Sequence, residues 1–253
     1  MNKYSIRMFS LTIITPSFNN AATILHTVTS VATQSFPPAE HLIIDGASTD
    51  DTLNLLQDTA AIVYSAPDKG MYDAMNKGIA LARGTIIGIL NADDFYASKE
   101  VLEQVVQLFQ YTGCDAVYGN LKYVAADAIE RVQRNWIAGT YYPGAFVNGW
   151  MPPHPTFFVK KSVYEQYGVF NLDLGTAADY ELMLRFIHKH HISLAYLNQT
   201  LVHMRSGGAS NQTLLARFIA NRNDALAWKI NGLQPRWYTL YAKPLRKLGQ
   251  FLG

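Results

Sequence analysis

Apolar residues in this chain come first as short unbroken runs set between amphipathic stretches. Leu11-Thr12-Ile13-Ile14-Thr15 is one such run, stopped by Pro16. His41-Leu42-Ile43-Ile44, Ala61-Ile62-Val63-Tyr64 and Thr85-Ile86-Ile87-Gly88-Ile89-Leu90 repeat the pattern. Runs of this kind, bounded by Pro, Gly, Asn and Ser, read as strands buried on both faces. Between them, Ala21 to Thr33, a segment capped by Ser48 and Met71 to Arg83 carry helical spacing. Strand and helix alternate four times through short loops, which predicts a parallel, doubly wound α/β sheet. Parallel strands share a direction, so Pro16 to Asn20, Asp45 to Ser48 and Asn91 to Asp94 fall on one sheet edge. Ligands of open α/β sheets bind at that edge.

The pattern changes after a helix from about Lys99 to Gln110. Asp115 to Asn120, Leu121 to Val124 and Ile129 to Trp136 read as short strands. Gly139 to Pro153 is a long loop rich in Gly, Pro and aromatics, a type usually kept for function. Thr156 to Val159 reads as a strand and Ser162 to Gln166 as a short helix. The loop Asp173 to Ala178 then delivers Asp179 to the start of an amphipathic helix, Tyr180 to His190. Strands at Ile192 to Leu197 and Leu201 to Met204, a Gly207-Gly208 turn and a helix from Asn211 to Lys229 follow. The expected organisation is one catalytic unit over residues 1–210, with a nucleotide half at about 11–112 and a smaller mixed-sheet half at about 113–210. Residues 211–253 form a helical extension.

Composition narrows the function classes. A formal charge of +2 over 253 residues gives no footprint for nucleic acid. The single cysteine, Cys114, rules out an intramolecular disulfide and fits a reducing compartment. The first ten residues lack the apolar core of a leader, and no stretch reaches the roughly 18 to 20 apolar residues of a spanning helix. The expectation is a cytoplasmic protein, at most peripheral on the inner face of a membrane.

The candidate chemistry centres on acids. Asp93 and Asp94 leave a buried strand, where two carboxylates suit a hard divalent ion shared with substrate phosphates; alone, the same residues read equally as turn acids. Asp179 stands at a helix start after a small-residue loop, as a general base or as an ordinary N-cap.

The motifs resemble those of a glycosyltransferase family, family 2, with the GT-A fold, of the small bacterial type that builds capsules, exopolysaccharides and O-antigens. They occur in the family's order: Thr15-Pro16-Ser17-Phe18-Asn19, Asp45-Gly46-Ala47-Ser48-Thr49-Asp50, Asp68-Lys69-Gly70 with Asn76-Lys77-Gly78, and Asn91-Ala92-Asp93-Asp94. His154-Pro155-Thr156-Phe157-Phe158, Ala178-Asp179-Tyr180-Glu181 and Arg205 with Gly207-Gly208-Ala209-Ser210 follow. The resemblance implies an inverting transfer from a nucleotide-diphosphate sugar, most commonly UDP-linked in that family, to a hydroxyl of a saccharide or polyprenyl-linked acceptor. It implies Asp179 as the base and Asp93 as the ligand of Mn2+ or Mg2+. On the donor side it implies Asp45 against the nucleobase, Pro16, Phe18 and Asn19 as the pocket floor, and Asp68, Lys69 and Asn91 nearby. His154 and Glu181 are expected on the acceptor side, and His203 as a further residue reaching the metal. Asn91 departs from the pattern, since many relatives carry an acid there.

Two other readings remain open. A degenerate nucleotide-sugar-binding subunit would keep the pocket without turnover. A sugar-phosphate nucleotidyltransferase would need a glycine-rich basic loop after the first strand, where Pro16-Ser17-Phe18-Asn19 stands instead. Trp237, Tyr238, Tyr241, Lys243, Arg246, Lys247 and Phe251 mix aromatics and bases, which suits an anionic membrane interface or packing on the domain or a second subunit.

Overall fold

The computed structural model describes residues 9–207 and 214–248. The chain opens as β1 (Leu11–Ser17), α1 (Ile24–Ala32), β2 (Glu40–Asp45), α2 (Thr52–Leu56), β3 (Ile62–Ser65), α3 (Met71–Leu81) and β4 (Ile86–Ile89). These four strands lie in the order β3-β2-β1-β4, all parallel. Residues of β1, β2 and β4 are buried on both faces, which explains their unbroken apolar runs. Their C-terminal ends share one edge, as predicted.

The second half extends the same sheet. It comprises β5 (Phe95–Tyr96), α4 (Val101–Thr112), β6 (Ala116–Val124), β7 (Val132–Trp136), β8 (Phe158–Lys160), α5 (Lys161–Tyr167), α6 (Ala178–Met183) and β9 (Leu194–Arg205). The order continues β4-β8-β6-β9-β5, with β7 paired on β6. β8 runs antiparallel to β4 and β6, whereas β6 and β9 are parallel. β7 pairs antiparallel with β6 through a short hairpin connection, so it needs no helical crossover.

Three local readings differ. β6 and β9 are each one strand where two were predicted. Their register slips around Gly119, Asn120 and Leu121, opposite the stretch from Leu197 to Val202. The polar Asn198-Gln199-Thr200 break is therefore an irregularity inside a strand, not a turn. The helix expected over Tyr180 to His190 stops at Met183 and widens into a π-type turn over Leu184–Lys189. In the long loop, Phe146 and Trp150 are buried, and Trp150 Nε1 donates to the Ala138 carbonyl at 2.7 Å. These aromatics build core and do not line a cleft.

The chain closes with α7 (Leu214–Ile230) and α8 (Thr239–Leu248). Ala227 and Trp228 are sealed against the α6 region, and Trp228 Nε1 donates to the Tyr180 hydroxyl at 2.8 Å. Lys243 on α8 pairs with Asp224 at 2.7 Å and sits over the Tyr180 ring. Gly208-Ala209-Ser210 and Phe251 lie outside the described residues.

Candidate active site

The edge loops are tied to one another. Asn19, at φ +53°, accepts the Thr49 N–H at 2.8 Å, and its own N–H donates to Ser48 Oγ at 2.8 Å. Asn19 thus staples the β1 exit to the β2 exit, its amide oxygen committed to that loop. Phe18 beside it is 59% exposed, while Pro16 is buried. Asp45 is fully buried and accepts the Ser48 N–H, the Ser48 hydroxyl and the Ser65 hydroxyl. A carboxylate has about four acceptor positions, so most of its capacity is used internally. Asp68 leans on Gly46, where a Cβ would lie 2.7 Å from its carboxylate oxygen and would push that side chain aside. The Lys69 N–H donates to Asp73 at 3.0 Å, which winds this loop into the start of α3.

At the β4 exit the two acids separate in role. Asp94 is sealed, accepting Asn91 Nδ2 at 3.0 Å and the Arg205 N–H at 3.3 Å. Burial, then the neighbouring Asp93, push its pKa well up. Asp94, weighed as a second metal ligand, is therefore an internal brace of the turn. Asn91 serves that turn as well, and its Oδ1 is buried without a protein partner. Asp93 is half-buried; burial raises its pKa and the Arg205 charge pulls it back.

Arg205 organises this corner. Its guanidinium donates to the Asp93 carbonyl, meets His26 Nδ1 at 2.6 Å and lies over the Phe95 ring at 5.1 Å. Burial and Arg205 both lower the His26 pKa, which keeps the ring an acceptor. Thr27 Oγ1 bonds the carbonyls of Ala92 and Asp94. His26 and Thr27 carry no signal in the sequence, because they sit mid-helix in α1. His203 pairs with Phe95 across β9 and β5, its ring edge-on at 5.2 Å. Burial and Lys122 hold its pKa down. Among the described residues no three His, Cys, Asp or Glu side chains converge as a ready-made metal cluster. The set still fits a hard cation: Asp93 offers one carboxylate, Asn91 carries a partnerless oxygen in the same turn, and such ions commonly take further oxygens from substrate phosphates.

The third corner holds Asp179, the second residue of α6, whose Oδ1 accepts the Tyr180 N–H at 2.7 Å. Tyr72 lies in the field of this acid: burial, then the Asp179 charge, push its hydroxyl pKa up. His154 faces Asp179; burial lowers the imidazole pKa and the Asp179 charge opposes that. Burial raises the Tyr123 pKa, Arg134 opposes that, and the charges of Asp94 and Asp179 both add to the rise, so both acidic corners act on this one side chain. Glu181, expected on the acceptor side, points inward instead. It is 2% exposed and held by Arg185 at 2.9 Å and by Asn231 Nδ2 at 2.9 Å. A buried carboxylate needs such partners, and α7 supplies one of them.

Residues 12–169 match the family profile described as "Glycosyl transferase family 2". An uncharacterized glycosyltransferase of Mycobacterium tuberculosis is 32% identical over 187 residues, covering 70% of this chain and 68% of that protein. A PGL/p-HBAD biosynthesis glycosyltransferase of Mycobacterium bovis is 28% identical over 220 residues, covering 84% and 82%. Among solved structures, S. aureus TarS 1-349 in complex with UDP superposes with a TM-score of 0.67 at 16% identity, covering 95% of this chain and 72% of that one. The chain spans 43% of the longer TarS chain.

Proposed function

The chain belongs to glycosyl transferase family 2 and has the GT-A fold, and from that premise we propose that it is an inverting enzyme using a nucleotide-diphosphate sugar, UDP-linked. Its acceptor is a hydroxyl of a saccharide or a polyprenyl-linked saccharide in surface-polysaccharide synthesis. The observation that carries the reading is a half-buried acid, Asp93, at a parallel strand exit, with a second acid, Asp179, at a helix start whose charge acts on the same Tyr123 as that of Asp94. Asp179 takes the proton of the acceptor hydroxyl as its oxygen attacks the anomeric carbon. The bond to the diphosphate breaks in the same displacement and its electron pair leaves with the diphosphate, which inverts the carbon. Asp93 would hold Mn2+ or Mg2+, with Asn91 in the same turn; a bound cation supplies positive charge for the departing diphosphate. Lys69 lies beyond the β3 exit as a second cation, and Asp45 would shape the base side through the Ser48 loop that it holds.

The exposed Trp237, Tyr241 and Arg246 of the C-terminal segment support a peripheral position on the anionic inner face of a membrane. The bonds joining α7 to α6 support treating the extension as part of one unit; a homo-oligomer is compatible with the same surface.

A thermal-shift screen of UDP, GDP and dTDP, with and without MnCl2, tests the pocket, because a ligand selective for the folded state raises the midpoint. The expected result is a UDP shift that grows with metal. In Asp179→Asn that shift persists while UDP release from the donor sugar falls at least about 100-fold. Binding without turnover in the parent protein would favour the binding-subunit reading. Absence of any nucleotide shift would overturn both.

A further inference from the structure

The turn that carries Asp93 is gripped by its backbone, and three consecutive carbonyls are engaged. The Ala92 carbonyl accepts Thr23 Oγ1 at 2.9 Å and Thr27 Oγ1 at 3.0 Å, and the Asp94 carbonyl accepts Thr27 Oγ1 at 2.7 Å. The Asp93 carbonyl between them accepts the Arg205 guanidinium. Thr23 is the N-cap of α1, and residues three and four further on share its face, so Thr23, His26 and Thr27 all turn towards this segment. The two threonines reach the turn directly. His26 reaches it through Arg205, whose second terminal nitrogen lies 2.6 Å from His26 Nδ1. A guanidinium nitrogen only donates, so the imidazole accepts at Nδ1 and carries its proton at Nε2. Phe95 completes the seat, its ring centroid 4.3 Å from that of His26 and 5.1 Å from the guanidinium carbon.

We propose that His26 is a positioning residue for the cation site at Asp93, acting through Arg205. The inference rests on Asp93 being the metal ligand. A guanidinium beside Asp93 is also a competitor for its carboxylate, because arginine pairs readily with carboxylates through its fork of donors. In the folded chain one terminal nitrogen is committed to the Asp93 backbone carbonyl and the other to His26. The carboxylate is thereby left to a cation, while the bond to its own carbonyl fixes the direction in which the side chain leaves the backbone. Without an acceptor at position 26 the freed donor turns to the carboxylate, and the cation has to displace it. Hydrogen-bond partners that orient a metal ligand commonly set affinity by roughly 10- to 100-fold. Acting one residue further out, His26 belongs at the lower end.

The test is Mn2+ binding in mildly alkaline buffer at saturating UDP, followed by the electron paramagnetic resonance signal of the free ion against a protein-free UDP blank. GDP or dTDP replaces UDP where it gives the larger thermal shift. The variants are His26→Leu and His26→Asn. Both lose the ring that packs on Phe95, but asparagine Oδ1 stands where Nδ1 stood and can accept from Arg205, whereas leucine cannot. Leucine is the better helix former, so stability and cation affinity should rank in opposite orders. The expected result is Mn2+ affinity about tenfold weaker in His26→Leu and within about threefold of the parent in His26→Asn, with the metal-free nucleotide shift retained in both. Parental affinity in His26→Leu overturns the proposal, and so does an equal loss in the two variants, which would trace the effect to packing on Phe95. If His26→Leu does not fold, His26→Ala takes its place with the same outcomes. In the parent protein, 15N resonances of labelled histidine should show His26 protonated at Nε2; a proton on Nδ1 overturns the proposal, since that ring could not accept from Arg205. Asp93→Asn separates the two levels of the argument. Undiminished Mn2+ binding in that variant, or none in the parent, sinks the metal assignment and His26 with it. Loss in Asp93→Asn beside parental binding in His26→Leu sinks His26 alone.

Discussion

His41 lies in β2 with its Nε2 2.9 Å from Thr15 Oγ1, and burial alone pushes its pKa down to about 3 from 6.5. The folded chain therefore keeps this ring neutral while the unfolded chain protonates it below about pH 6.5. Stability is complete above that pH and is lost as pH falls towards about 3. The slope from this group is at most about 1.4 kcal/mol per pH unit in that window. Urea midpoints measured between pH 4 and pH 7 should fall with pH, and the slope should flatten in His41→Gln, which keeps a partner for Thr15. An identical slope in the variant would assign acid sensitivity elsewhere. The residues that hold Asp93 show how single side chains escape sequence reading. Arg205 belongs to a recognisable motif, but its use is set by His26, 179 positions away, and nothing local announces that pairing. Glu181 misleads for the same reason, since its partner Asn231 arrives 50 residues later.

At the scale of elements, the parallel half was legible because burial on both faces forces continuous apolar runs, as in Leu11 to Thr15 and Ile86 to Ile89. The second half was less so. Strand β9 was split because Asn198, Gln199 and Thr200 look like a turn, though β6 carries them through as a register slip. The burial of Phe146 and Trp150 was not legible, because a loop rich in glycine and proline gives no period from which burial can be judged. The contact between α3 and β1 is a close one: a Cβ at Gly78 would overlap the side chain of Ile14. Gly78→Ala adds helix propensity but overpacks this seam, and the expected net loss is about 1–3 kcal/mol by denaturant titration. Because α3 starts directly after the Asp68-Lys69-Gly70 loop, the same variant should also lower turnover; unchanged stability would show that the seam yields.

Across the whole molecule, the two halves and the C-terminal helices meet around Tyr180, which is buried and touched by Trp228, Lys243 and Phe146. Truncating Trp228 to alanine removes the largest fully buried side chain and leaves the Tyr180 hydroxyl without its donor. The expected cost is about 3–5 kcal/mol, read as a lowered midpoint with the nucleotide thermal shift retained if the parallel half survives. A midpoint within about 1 kcal/mol of the parent would mean that the extension only rests on the surface. The arrangement also sets an order of events during synthesis. The strand exits that form the donor side are complete once the first hundred residues have emerged, but the helix bearing Asp179 gains its brace from position 228. A nascent chain can thus assemble its nucleotide side well before the helix bearing Asp179, the proposed base, is secured, so activation of an acceptor, or of water in its place, waits until residues beyond 228 have left the ribosome.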